Sequence, residues 1–149
     1  MSLQPEVGLV IRYDYLWKNE EKTGRIDGAK DRPCAIILIS QKGDNKTRDV
    51  YVCAITHTPP RQGETAVEIP YKVAKYLNLD HERMWVKTQE VNKMKWEENR
   101  IPFGVSKTPD GRWHYGMIPR ALGQKIHEQA LTNSKTNALN IVRRDSYTN

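Results

Sequence analysis

Two short apolar runs on either side of a polar turn constrain this chain more than any other feature. The first is Arg32-Pro33-Cys34-Ala35-Ile36-Ile37-Leu38-Ile39, and the second is Val50-Tyr51-Val52-Cys53-Ala54-Ile55-Thr56. Both have the β-branched and apolar composition of strands. Residues 34–40 carry no charge, as expected for a central strand covered on both faces. Gly43-Asp44-Asn45 lies between the runs and is turn punctuation. Arg32 enters the first run and Thr56 leaves the second, so an antiparallel pairing brings these two polar ends together. A guanidinium beside a hydroxyl can hold a phosphate, because the planar fork of donors matches phosphate oxygens.

The flanking segments point to more strands than helices. Residues 7–15 alternate, with Val7, Leu9, Ile11 and Tyr13 on one face. Residues 17–30 are polar and contain Gly24 and Gly28, which predicts a long loop leading to Arg32. Pro59-Pro60 and Gly63 predict another loop, followed by a short strand over 66–69. Pro70 suits the first position of a helix over 71–77. Residues 84–91 continue as strand, with a break near Gln89-Glu90. Pro109-Asp110-Gly111 is turn chemistry for a hairpin between 101–106 and 112–117. After Pro119, the spacing of Leu122, Ile126 and Ala130 predicts an amphipathic helix.

At 149 residues the chain fits one domain with a real core. Residues 1–134 form that domain in this reading, and 135–149 form a last short helix or a basic tail. The expected fold is mainly β with short α-helices: a small, strongly curved SH3-like barrel carrying a C-terminal helix, with a β-sandwich as the alternative. The net charge of +6 favours an anionic partner, nucleic acid first. Cys34 and Cys53 form no C-x-x-C pair and no zinc spacing, so they are expected to be reduced core thiols. No metal or cofactor is expected. The N-terminal residues lack the pattern of a signal peptide, and no run is long enough for a transmembrane helix, which places the expected protein in the cytoplasm.

Arg32-Pro33 opening one apolar strand, then Ala54-Ile55-Thr56 closing the next, resembles the MazF/PemK/Kid toxin family. Gly8-Leu9-Val10-Ile11, Val67-Glu68-Ile69-Pro70, Trp85-Val86-Lys87-Thr88-Gln89-Glu90-Val91 and the helix from Leu122-Gly123 follow in the family's order. The likeness spans residues 6–131. It implies the toxin of a type II toxin–antitoxin pair, with the SH3-like barrel of the CcdB/Kid/MazF type and usually a homodimer. Such toxins are metal-independent endoribonucleases that cut single-stranded RNA at short sequences and leave a cyclic phosphate and a 5′ hydroxyl. A cognate antitoxin blocks the RNA groove, and the pair binds its operator DNA. The chain departs from the family in the spacing of Gly24, Gly28 and Asp31 before Arg32, and in a longer hairpin at 109–111.

Cleavage of this kind uses the neighbouring 2′ hydroxyl as nucleophile. It needs a base for that proton, an acid for the departing 5′ oxygen, and donors for the phosphorane charge. Arg32 is too basic for ordinary proton transfer and is assigned to the phosphorane, while the likeness also implies acid work there. An ion pair with Asp31 is the competing role for Arg32. Thr56 is assigned to a phosphate oxygen. His57, Asp31 and Glu20 are the candidates for proton transfer, with Asp14 nearby, and none of them is singled out. Lys18, Lys30, Arg61 and Trp17 lie on loops beside the site and could hold RNA by phosphate contact and stacking; the likeness adds Gln89. Lys87, Lys93 and Lys95 fit a plain solvent face. Two further classes stay open: a non-catalytic barrel that binds a protein target such as DNA gyrase, and a nucleic-acid-binding module without toxicity.

Overall fold

The paired apolar runs are the middle of the molecule. In the computed structural model, which describes residues 3–41, 46–80, 83–145 and 147, strands β2 (Arg32–Gln41) and β3 (Thr47–Thr56) pair antiparallel from Cys34↔Ala54 to Gln41↔Arg48, with a register shift between Ile36 and Leu38. The residues 42–45 expected to turn between them lie outside the described residues. On the far side of β2 runs β1 (Leu9–Tyr13). The far edge of β3 is shared by two strands: β6 (Glu90–Glu97) pairs with residues 47–52, and β5 (Met84–Lys87) with Ile55 and Thr56. β4 (Ala66–Ile69) lies outside β5. The whole is mainly β: an open, largely antiparallel sheet of nine strands among the described residues, with three helices.

Both faces of the central strands are covered, as their uninterrupted apolar sequence requires. Ala35, Ile37, Cys53 and Ile55 face a core completed by helix α2 (Tyr71–Tyr76) and helix α3 (Arg120–Lys135), through Ala74, Leu122, Ile126 and Ala130. Cys34, Ile36, Val52 and Ala54 face the opposite core with Leu9, Ile11, Tyr13, Met94 and Trp96. Period-2 alternation therefore puts the two cysteines on opposite faces. Both are free and buried, and burial raises both thiols, Cys53 to about 12. Val7, expected on the first strand's buried face, precedes β1 and is exposed.

Two expectations are corrected. The 109–111 turn forms, with Gly111 N–H donating to Thr108 O at 2.9 Å. The flanking strands do not pair with each other, however. β7 (Val105–Ser106) and β8 (Gly116–Met117) both pair with β1, at its Tyr13 end and its Leu9 end. They act as one edge strand interrupted by a looped-out segment, because the exposed ladder of β1 offers backbone partners to both. The second correction concerns the chain end. Residues 140–143, expected in a helix or basic tail, form β9 (Asn140–Arg143), parallel to β6. Tail residues thus belong to the same sheet as the rest of the chain. No helix among the described residues is long and apolar enough to cross a membrane.

Candidate functional site

Register arithmetic builds the site. Continuing the Cys34↔Ala54 pairing by two residues sets Arg32 across from Thr56. Tyr13 pairs with Arg32 on the other side, Thr56 pairs with Trp85, and Trp85 pairs with Glu68. One row across five strands therefore reads Tyr13, Arg32, Thr56, Trp85, Glu68. All five share a face, since their neighbours Ile55, Val67 and Val86 point to the helix-covered core.

Arg32 is half-buried, and its guanidinium carbon lies 5.1 Å from the centroid of the Trp17 ring. Trp17 in turn meets Tyr15 edge-on at 4.8 Å. The competing ion pair does not form: Asp31 accepts from Ser106 Oγ at 2.9 Å and faces Arg12 at 3.4 Å. Arg32 Nε is buried without a hydrogen-bond partner. A cation held over a ring and left without a carboxylate is a ready receiver for an anionic oxygen. Thr56 Oγ1 accepts from Thr58 N–H at 3.1 Å, which leaves the hydroxyl proton to donate outward.

A carboxylate that sequence reasoning did not single out completes the arrangement. Glu90 opens β6 two residues past its last pair with β3, Val52↔Asn92, and strand alternation puts it on the same face as Arg32 and Thr56. Tyr15 Oη donates to its Oε2 at 2.9 Å and Lys18 N–H to its Oε1 at 3.2 Å. Burial outweighs these bonds and raises the Glu90 carboxyl above its ordinary value. Tyr15, also buried, is pushed well up and remains a donor. The signal was present in the alternation Glu90, Asn92, Met94, Trp96, whose last two members are core residues on this face.

The other sequence-predicted residues are spread around this row. Glu20 sits in the one-turn helix α1 (Lys18–Glu21), accepts from Trp17 N–H at 3.0 Å, and so holds the tryptophan backbone. Lys18 Nζ pairs with Glu21 at 3.0 Å. Lys30, His57 and Arg61 are exposed, on the loops before Arg32 and after Thr56. Gln89 uses both ends of its amide to brace the neighbouring loop, accepting from Thr65 N–H at 3.0 Å and donating to Gly63 O at 3.3 Å. Lys87, Lys93 and Lys95 do not form one solvent face: Lys87 on β5 pairs with Glu64, while Lys93 and Lys95 on β6 point to the opposite side and face the buried Asp49.

Asp14 is buried in a clasp with the chain end. Its carboxylate accepts from Gly28 N–H at 3.0 Å and from Tyr147 Oη, and Arg144 lies 3.8 Å away. Arg144 also donates to the carbonyls of Asp14 at 2.7 Å and Ile26 at 3.0 Å, and to Asn92 Oδ1 at 3.0 Å. Asn92 holds both backbone groups of Leu16, the residue before Trp17. The first loop is thus fixed at both ends, and with it the aromatic support of Arg32. Chemically, the row offers a guanidinium and a hydroxyl for one phosphate, an adjacent carboxylate of raised pKa, and aromatic surface. Compared with protein-family models, curated proteins and solved structures, the chain matches none.

Proposed function

We propose that this chain is a metal-independent endoribonuclease toxin that cleaves single-stranded RNA, with the SH3-like barrel of the MazF/PemK/Kid type. The observation that carries the reading is that Arg32 and Thr56 stand at the same end of β2 and β3, two residues beyond the pair Cys34↔Ala54, with the guanidinium over Trp17 and no carboxylate among the described residues paired to it. A phosphodiester seated there meets positive and neutral donors together. The 2′ oxygen attacks phosphorus while the bond to the 5′ oxygen breaks and that oxygen takes a proton from solvent water, giving a cyclic phosphate and a free 5′ hydroxyl. Arg32 stabilises the charge that builds on the non-bridging oxygens, and Thr56 donates to one of them. Glu90, ionised, accepts the 2′ proton, and its raised pKa brings it nearer to working pH for that task.

On this reading the chain acts in the cytoplasm as a homodimer, a cognate antitoxin masks the row, and the two together bind operator DNA. The test is cleavage of a long single-stranded RNA by purified protein in EDTA. Wild type should cut at a restricted set of sequences, and Arg32→Ala should abolish cutting with an unchanged circular dichroism spectrum. Intact RNA with the folded wild type, or full activity in Arg32→Ala, refutes the reading.

A further inference from the structure

Thr56 has a second arginine–tryptophan layer on its other side. Trp85 is the register partner of Thr56, and Arg83 lies over its ring at 4.9 Å. Glu68, the register partner of Trp85, takes the Arg83 guanidinium as a fork on a fork, at 2.9 Å from Nε and 3.0 Å from Nη2. The ring is 6% exposed, whereas the Arg83 side chain is 68% exposed. The Arg83 side chain is therefore largely open to solvent while its guanidinium lies above the buried indole.

An ion pair this exposed adds little to folding stability. Its geometric effect is larger: two hydrogen bonds to one carboxylate hold the guanidinium in place above the ring before a ligand arrives, so less ordering is needed on binding. A flat, fixed cation above an aromatic ring is a surface on which a nucleobase stacks, since guanidinium planes serve as stacking partners for unpaired bases. A phosphopeptide would instead need the forked donors that Glu68 already occupies. Along the row, Arg32 over Trp17 and Arg83 over Trp85 stand on either side of Thr56.

We infer that the Glu68–Arg83–Trp85 layer is a nucleotide subsite on the same row as Arg32 and Thr56, on which the base next to the cleaved phosphodiester stacks. This rests on the ribonuclease reading and adds to it the place of a flanking base. Stacking tolerates any base, so the layer sets affinity and leaves the choice of cleavage sequence to other groups.

The experiment first maps a cleavage site, then measures binding of a short RNA made uncleavable by a 2′-deoxy nucleotide at that site. Arg83→Ala should weaken binding about tenfold, and Arg83→Lys, which keeps the charge and loses the plane, should weaken it nearly as much. An abasic nucleotide on one flank should cost wild type about tenfold and cost Arg83→Ala almost nothing, because the two changes remove the same contact. Arg83→Ala uncovers part of the Trp85 ring, so an unchanged urea midpoint is required of it, and Arg83→Lys, whose stem keeps that cover, gives the decisive comparison. Wild-type affinity in Arg83→Lys, or additive losses on both flanks, overturns the subsite while RNA cleavage by wild type leaves the ribonuclease reading standing. No cleavage and no binding by wild type overturn both.

Discussion

Replacing Arg144 by methionine should loosen the first loop and remove the cation over Tyr13, while Arg32, Thr56, Trp85 and Glu68 keep their own strand pairings. The guanidinium is 1% exposed, and the variant loses donors to two main-chain carbonyls and to Asn92, together with the charge facing Asp14. Removing one partner of a buried pair costs about 3–5 kcal/mol. Asp14 keeps the Gly28 N–H and the Tyr147 hydroxyl, so the lower end, about 3 kcal/mol, is the expected loss. With a urea slope of about 1.5 kcal/mol per M, the midpoint should fall by about 2 M with the slope unchanged. Under native conditions trypsin should then cut at Lys22, Arg25 or Lys30 faster than in wild type, because Ile26 O has lost its tie to the sheet. Adding Asp14→Asn to Arg144→Met should cost less than the two separate losses combined, since the groups share one network. A midpoint shift under about 0.5 M, with unchanged proteolysis of the loop, would refute the clasp.

Glu90→Gln separates the carboxylate's chemistry from its packing. Its folded pKa lies above the ordinary 4.5, so its contribution to stability is complete below that value and is lost as pH rises through the raised one. Wild type should therefore lose stability relative to Glu90→Gln as pH rises above 4.5 and through the raised pKa, and the variant should lose most cleavage and its acid limb; parallel stability curves would count against the assignment. At Gly28 an added Cβ would lie 2.2 Å from Tyr15 O and 2.9 Å from Asp14 Oδ1. Thermal or urea melts of Gly28→Ala should show a loss of about 1–3 kcal/mol from overpacking. Neither Cys34 nor Cys53 should react with a thiol reagent in the folded protein at pH 8, and both should react once urea unfolds it. Rapid native labelling would contradict their burial.

The two central strands and their antiparallel pairing were readable because period-2 burial leaves a local signature: 34–40 and 50–56 have to be central. The late helix was readable for a similar reason, from Leu122, Ile126 and Ala130. The failures are long-range. Whether 105–106 pairs with 116–117 or with β1 depends on an edge that is nearly 100 positions away in sequence, and turn chemistry at 109–111 is compatible with both. The end of the chain reads as basic and polar because Arg144 is charged, and only the buried Asp14 shows why a cation belongs inside. Glu90 was passed over for a different reason. A glutamate at a strand start has an ordinary solvated role, and its partners Tyr15 and Lys18 are brought to it by a loop whose path the sequence does not specify.

The row exists because β3 changes partners. Residues 47–52 pair with β6 and residues 55–56 with β5, so the ladder on that edge is interrupted at Cys53 and Ala54. The junction between β5 and β6, residues 88–89, sits opposite this gap. Uncovered backbone at such a fork would cost stability, and α3 supplies what closes it. Asn133 Nδ2 donates to Thr88 O at 2.8 Å and to Thr65 Oγ1 at 2.9 Å, Gln129 accepts from Thr88 Oγ1, and Gln89 ties the 63–65 loop to the same knot. The knot lies on the helix side, and on the other face Thr56 pairs with Trp85 while Glu90 opens β6. The break in the ladder therefore places a hydroxyl, a carboxylate and an arginine on one face of the sheet. A continuous β3–β6 ladder would extend that pairing past Ala54, displace Trp85 from Thr56, and remove the second arginine–tryptophan layer from the row.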